Sequence, residues 1–167
     1  NLADTGIHGR CATPRNRPDD LLKAIAADPS LAPIDSDFAH LLSSWFNRSF
    51  LYLERIDWST PAAILEKIIA YESVHRIADW DDLRRRLDAA DRRCYAFFHP
   101  ATGDEPLIFV EVALLDKMAG SMAPLLDESA AAADLSKANT AIFYSISNTQ
   151  TGLRGVSFGD SLIKHVV

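Results

Sequence analysis

Residues 140–161, TAIFYSISNTQTGLRGVSFGDS, form the stretch that decides the fold of this chain. Its beginning, residues 141–146, is rich in β-branched and aromatic side chains and predicts a buried strand. Three glycines follow, Gly152, Gly155 and Gly159; they predict a turn, and an apolar helical pattern begins after them. A turn at a helix N-terminus presents free N–H groups and the positive end of the helix dipole. The stretch therefore predicts a site for an anion such as pyrophosphate, or else a tight turn without a ligand.

One short motif in this stretch indicates which anion. Residues 154–159, RGVSFG, fit the pattern R/Q-x-x-G-x-G/A, with Ser157 in place of its first glycine. The motif resembles the loop that binds the pyrophosphate of coenzyme A (CoA) in the GNAT acyltransferase fold. The stretch is not a Walker loop, because no Gly-Lys-Ser/Thr follows its glycines, and it is not a dinucleotide fingerprint, because the spacing G-x-G-x-x-G is missing. The predicted CoA-binding residues are Gln150, Thr151, Gly152, Leu153, Arg154, Gly155, Val156, Ser157 and Gly159.

Four segments together resemble one known family. They are FNRSFLYLERIDW at 46–58, RRCY at 92–95, GDEPL at 103–107 and TAIFYSISNTQTGLRG at 140–155. In this order and at these spacings they resemble the malonyl-CoA decarboxylases, and the resemblance covers roughly residues 19–167.

The resemblance implies an activity and its ligands. In that family a helical N-terminal domain self-associates, and a GNAT-like C-terminal domain binds malonyl-CoA and releases acetyl-CoA and CO2. The family's catalytic serine and histidine lie downstream of the position that matches Val167, so the resemblance assigns no catalytic residue within this chain. We therefore expect an incomplete member that binds malonyl-CoA or another acyl-CoA without turning it over, and that carries no covalently bound cofactor.

The fold class expected is α+β, with a helical N-terminal domain followed by the first part of a GNAT-like mixed β-sheet domain. Residues 1–18 lack apolar periodicity and predict an irregular arm. Residues 19–91 predict a helical association domain, because apolar side chains recur there at steps of three and four. The period of strands begins at residue 92, and the resemblance implies that residues 92–167 are a partial GNAT-like acyl-CoA-binding domain.

The helical half has several apolar stripes and two helix starts. Pro61 follows Thr60 and predicts the start of one helix, and Asp79 predicts the N-cap of another. More apolar surface is present than four short helices can hide, which predicts a homo-oligomer. The side chains expected to contribute to this association are Phe38, Trp45, Phe46, Ile64 and Ile68. The residues that recur at helical steps are Phe38, Leu41, Leu42, Trp45, Phe46 and Leu53.

The second half has the period of strands. Residues 95–99 and 107–114 are apolar runs separated by a turn, which predicts an antiparallel hairpin. Residues 118–126 predict a helix, and residues 141–146 supply the third strand.

Composition excludes several classes of function. The chain is 48% hydrophobic with a net charge of −6, and it has no clustered positive surface of the kind that nucleic acid requires. The basic cluster Arg84 to Arg86 is surrounded by aspartates, which favours a solvated helix face with ion pairs over a phosphate clamp. The apolar runs of the chain are shorter than the roughly 20 residues that cross a bilayer, so no membrane partner is expected.

The two cysteines, Cys11 and Cys94, are far apart and predict a reduced, cytoplasmic chain without disulfides. No group of cysteine and histidine has the spacing of metal ligands, so no metal is expected.

Three polar residues within strand patterns are candidates for function. Glu111 interrupts an apolar run, so it is either a carboxylate with a raised pKa or one paired with an arginine or an edge N–H group. Ser145 and Ser147 share one strand face and contact either a ligand or neighbouring backbone. The histidines, His75, His99 and His165, are scattered and follow no nucleophile motif.

Two other classes of function fit these patterns. A GNAT acyltransferase uses the same phosphate loop with an amine acceptor, whereas a non-catalytic helical interaction module needs no CoA. Binding of CoA distinguishes the module from both enzymes.

Overall fold

A computed structural model describes residues 24–25, 27–45, 50–127, 129–149, 163–164 and 166. Its helices and strands are α1 Ala32–Trp45, β1 Tyr52–Ile56, α2 Ala62–Tyr71, α3 Trp80–Asp88, β2 Arg92–Phe98, β3 Ile108–Leu115, α4 Ala123–Leu126 and β4 Thr140–Asn148. Helices and strands occur in one chain, as the α+β prediction requires.

The four strands form one sheet in the order β1-β2-β3-β4, and each neighbouring pair is antiparallel. The predicted hairpin is confirmed as β2 and β3. The helical prediction for Leu53 is wrong, because Leu53 lies in β1 and pairs with Phe97. The sheet therefore includes a strand from the segment that the sequence assigned to the helical half. A five-residue strand has too few residues for its period to stand out, so its pairing with β2 decides its structure.

Strand β4 contains a β-bulge. Glu111 pairs with Ser145, and the next residue of β3, Val112, pairs with Phe143. Tyr144 is therefore the extra residue of the bulge. Because a bulge changes the direction of side chains locally, Tyr144 and its neighbour Ser145 are both buried, although alternate strand residues ordinarily face opposite sides.

Helices α2 and α3 cover one face of the sheet. Both predicted starts are confirmed: Pro61 is the N-cap of α2, and Asp79 caps α3 by accepting from the N–H groups of Asp81 and Asp82. Ile64 and Ile68 of α2 are buried in this core, so they do not contribute the exposed apolar surface that the sequence predicted. The main core cluster consists of Ile56, Ile64, Leu65, Ile68, Ile77, Leu83, Leu87, Cys94, Ala96, Phe98 and Phe109.

Two smaller apolar clusters also lie among the residues that the structure describes. Phe97 and Ile108 lie with Leu107 in the second, against which Val166 packs. The third joins Ala113, Leu125 and Tyr144. Within the segment expected to be helical from 118 to 126, only Ala123–Leu126 forms a helix. None of the described helices is long and apolar enough to cross a membrane.

Candidate functional site

The predicted CoA loop itself lies outside the described residues. This holds for every predicted CoA-binding residue: Gln150, Thr151, Gly152, Leu153, Arg154, Gly155, Val156, Ser157 and Gly159. The structure does describe the strand that leads into the loop, together with the last residue before it, Thr149. The Thr149 N–H donates to the Leu107 carbonyl at 3.0 Å. Its hydroxyl donates to the carbonyls of Pro106 and Leu107. The entry to the predicted loop is therefore fastened to the start of β3.

The two serines of β4 bind a buried carboxylate rather than backbone of their own strand. Ser145 Oγ donates to both Glu72 oxygens, at 2.8 Å each. Ser147 Oγ donates to Glu72 Oε2 at 3.1 Å. Glu72 follows the last residue of α2 and is only 7% exposed. Neither hydroxyl donates to neighbouring backbone, but Ser147 Oγ accepts from one backbone group, the Ser73 N–H.

Glu72 also fixes the loop that connects α2 to α3, residues 72–79. The N–H groups of Val74 and His75 donate to Glu72 Oε1 at 2.8 and 2.7 Å. The N–H of Ser73 donates to Ser147 Oγ at 3.3 Å. One carboxylate therefore accepts from the connecting loop on one side and from β4 on the other.

A second buried carboxylate, Glu111, is both paired with an arginine and raised in pKa, the two alternatives that the sequence left open. Its Oε2 lies 3.2 Å from Arg86 Nη1, so an arginine is its partner. Burial raises the pKa of Glu111 to about 7, although the charge of Arg86 opposes this shift; the nearby charge of Glu72 adds to it. Glu111 is thus a paired carboxyl group that titrates near neutral pH.

Arg86 uses all five of its N–H donors. It binds Asp82 through Nε at 2.7 Å and through Nη2 at 3.0 Å. It also donates to the His75 carbonyl at 2.8 Å and the Arg76 carbonyl at 3.3 Å, besides Glu111. Burial by itself disfavours the charge, but the hydrogen bonds to Asp82 and the charge of Glu111 raise the pKa of Arg86. Arg86 is therefore a permanent cation at the centre of this polar cluster.

Tyr144 brings a phenol to the same cluster through the bulge. Burial, followed by the charge of Glu111, raises the pKa of Tyr144. The two groups interact electrostatically, yet neither Tyr144 Oη nor Glu111 Oε1 has a partner at hydrogen-bond geometry among the described residues. The ring of His75 lies 6.5 Å from the Tyr144 ring, centroid to centroid.

The arginine run has mixed surroundings. Arg84 is exposed and pairs with Asp88 at 3.2 Å, as the predicted solvated face requires. Arg86 is buried, so the prediction of a solvated face is wrong for it. Helical periodicity indicates which face of the helix a side chain occupies, but not whether a charged side chain finds buried partners there. Arg85 lies between these two positions and binds Asp91 at 3.1 Å.

Asp91 organises a separate cavity of about 440 Å³. It binds Arg92 at 2.7 Å and accepts from the Ala133 N–H at 3.0 Å. Arg92 in turn donates to the Leu125 carbonyl at 3.1 Å. Burial opposes ionisation, but these donors and Arg85 hold the pKa of Asp91 below its usual value. The charges beside the cavity thus fasten the connection between β3 and β4 to the sheet.

Of the remaining histidine candidates, the structure describes His75 and His99. His99 accepts from the Ala101 N–H through Nδ1 in the turn after β2, and His165 lies outside the described residues. Within the part of the chain that the structure describes, no group of His, Cys, Asp and Glu could hold a metal ion. The cluster around Glu72 and Arg86 can instead fix backbone segments and store a proton on Glu111.

Sequence reasoning missed Glu72, although a signal for it exists. Glu72 follows Ile64 and Ile68 at steps of four, so it continues the apolar stripe of α2. A carboxylate at the end of a buried stripe needs donors to offset the cost of its burial. The position alone could therefore have indicated a buried carboxylate, though not the serines that bind it.

Comparison with known proteins gives consistent matches. The malonyl-CoA decarboxylase C-terminal domain family matches residues 49–167, and the malonyl-CoA decarboxylase N-terminal domain family matches residues 17–46. Mitochondrial malonyl-CoA decarboxylases of Anser anser anser and Mus musculus are 42% and 38% identical over 154 residues. These alignments cover 89% of this chain, but only 30% and 31% of those proteins.

Solved structures match over a similar range. The malonyl-CoA decarboxylase of Agrobacterium vitis is 60% identical with a TM-score of 0.81, covering 87% of this chain and 35% of that one. The enzyme of Rhodopseudomonas palustris is 62% identical with a TM-score of 0.80, covering 88% and 36%. The chain therefore spans about a third of the length of these relatives.

Proposed function

Because the chain belongs to the malonyl-CoA decarboxylase family, we propose that it forms the part of such an enzyme that positions a CoA thioester. The full-length protein then converts malonyl-CoA to acetyl-CoA and CO2. The observation that carries this proposal is the family match over residues 49–167, which includes the whole sheet and the predicted CoA loop. The activity is proposed for a protein of the relatives' length, since this chain spans about a third of it.

The fastening of β4 supports a positioning role. Thr149 ties the end of the strand to the residues just before β3, and Ser145 and Ser147 tie the strand to Glu72. The N–H groups of the following turn, with Gly155 and Gly159 allowing close approach of the backbone, would bind the pyrophosphate. The thioester end of the ligand would then lie along β4. A fixed strand reduces the entropy lost when the ligand binds.

The chemistry of decarboxylation makes two further demands. The enolate left by CO2 must be stabilised at the thioester carbonyl, and its carbon must receive a proton. Among the described residues, Ser145 and Ser147 already donate to Glu72, and Glu111 is completely buried. The proposal therefore assigns both tasks to the serine and histidine that the resemblance places after the position matching Val167.

Self-association through the helical half is a further part of the proposal. Ile34 and Leu41 of α1 are 45% and 46% exposed, and their spacing of seven puts them on one helix face. The side chains of Phe38 and Trp45, and the whole of Phe46, lie outside the described residues. A cytoplasmic location also stays a prediction.

Two measurements test the proposed function. Isothermal titration with CoA is expected to give binding by the 167-residue chain. Acetyl-CoA production from malonyl-CoA is expected only from a protein extended to the relatives' length. Absence of CoA binding by both proteins would overturn the proposal and favour the helical interaction module. Robust turnover by the 167-residue chain would instead place a catalytic group among its own residues.

A further inference from the structure

The carboxylate of Glu72 joins two segments that are distant in the sequence. It accepts from two N–H groups of the loop 72–79 and from the hydroxyls of Ser145 and Ser147, which lie 73 and 75 residues further along the chain. Charge-assisted hydrogen bonds of this kind are strong and directional. Glu72 therefore sets the distance and direction between this loop and β4.

An apolar side chain would fill the same place at lower cost. Ile64 and Ile68 precede Glu72 on the stripe of α2 and are buried without polar partners to satisfy. Burying a carboxylate costs free energy of desolvation, which burying a leucine does not. What the carboxylate adds is a fixed geometry, since apolar contacts allow neighbouring segments to slide whereas hydrogen bonds do not.

The contact between Glu72 and β4 lies close in sequence to the predicted CoA loop. Ser147 precedes Gln150, the first predicted CoA-binding residue, by three positions. A shift of the strand at Ser147 is therefore carried directly toward the predicted CoA loop. Arg86 holds the connecting loop independently, through the carbonyls of His75 and Arg76. Loss of Glu72 would thus leave β4 held by its pairing with β3 and by Thr149, without its contact to the loop 72–79, while that loop stays attached to α3.

We propose that Glu72 is a positioning residue for CoA binding, which holds β4 against the loop 72–79 through Ser145 and Ser147 and so fixes the strand that leads into the CoA loop. This inference rests on the proposed function. Glu72 acts through the strand and does not contact the ligand.

The experiment compares three variants of the chain by isothermal titration with CoA, each below its own unfolding temperature. Glu72→Leu refills the space without acceptors and is expected to weaken CoA binding about tenfold. Glu72→Gln is expected to bind within about twofold of the parent chain, because its amide can accept from the loop while both serine hydroxyls turn to accept from it. Asp82→Leu is the matched control, since Asp82 binds Arg86 and the Ala78 N–H but not β4.

The control separates positioning from stability. Asp82→Leu is expected to lower the unfolding temperature at least as much as Glu72→Leu, yet to keep CoA affinity within about twofold. Should Glu72→Leu not fold, the double variant Ser145→Ala with Ser147→Ala removes the strand side of the contact and is expected to lose affinity in the same way.

The outcomes distinguish this inference from the proposed function. If neither the parent chain nor the protein extended to the relatives' length binds CoA, the proposed function fails and the inference fails with it. If the parent binds CoA and the folded Glu72 variant, or the double serine variant, binds equally well, only the positioning role is overturned. Equal loss of affinity in the Asp82 control would also overturn it, because the effect would then follow stability.

Discussion

Arg86 Nη1 lies 3.2 Å from Glu111 Oε2, and this buried ion pair joins helix α3 to strand β3 in the middle of the sheet. The same guanidinium binds Asp82 on its own helix and two carbonyls of the loop before it. One side chain therefore connects a helix, a loop and the sheet. The free energy of unfolding should depend on it strongly.

Replacing Arg86 with leucine is expected to lower the free energy of unfolding by about 3–5 kcal/mol, because Glu111 and Asp82 would stay buried without their partner. Urea denaturation at neutral pH measures the change. The control is Arg84→Leu, whose exposed pair with Asp88 is worth less than about 1 kcal/mol. Similar losses in both variants would contradict the assigned role of Arg86.

The ionisation of Glu111 predicts a pH dependence of stability. Its pKa is raised by burial from 4.5 to about 7, so the folded state keeps a proton that the unfolded state releases. The resulting stabilisation is fully present below pH 4.5 and is lost as the pH rises toward 7, by an amount on the order of 3 kcal/mol.

The measurement is the free energy of unfolding at pH 5 and pH 7.5, for the parent chain and for Glu111→Gln. The amide does not titrate, so the variant is expected to lose less stability over this interval than the parent. Comparison between the two proteins cancels the contributions of all other titrating groups. Equal pH dependence in the two proteins would show that Glu111 is ionised throughout.

The predicted CoA loop can be tested at its glycines. Replacing Gly155 or Gly159 with valine is expected to weaken CoA binding before it lowers thermal stability, because a branched side chain blocks close approach of the backbone to pyrophosphate. Arg154→Ala should have a smaller effect. Isothermal titration with CoA and with dephosphorylated pantetheine measures both affinities.

Gly120→Val is the matched control for these substitutions, since a Cβ at Gly120 meets no atom within 4 Å. It should leave CoA affinity unchanged. Equal affinity of the parent chain for CoA and pantetheine would rule out a pyrophosphate site.

Self-association is expected to depend on the exposed face of α1. Charging it with Ile34→Glu and Leu41→Glu together should convert a dimer or larger species to a monomer, because a buried carboxylate in an interface is costly. Light scattering at about 20 μM, an ordinary range for oligomer affinities, measures the mass. The control is Met118→Glu, since Met118 is 74% exposed and lies outside α1. A parent chain that is strictly monomeric at this concentration would refute the prediction.

Local patterns in the sequence determined several elements correctly. Asp79 caps α3 through its side chain, and Pro61 is the N-cap of α2, where its ring fixes φ; both effects act within a few residues of the helix start. The hairpin of β2 and β3 follows from two apolar runs separated by a turn, which are also local features. The family was recognisable because its four segments retain their order and spacing along the chain.

Only the tertiary structure decided the polar cluster and the first strand. β1 is short and takes its structure from pairing with β2. Ser145 binds Glu72 across 73 residues, and Glu111 binds Arg86 across 25. Periodicity indicates which face of an element is buried, but the partner of a buried polar group depends on how separate elements pack. The sequence by itself determined the family, the α+β class and the helix starts, whereas packing chose the partners that stabilise each buried charge.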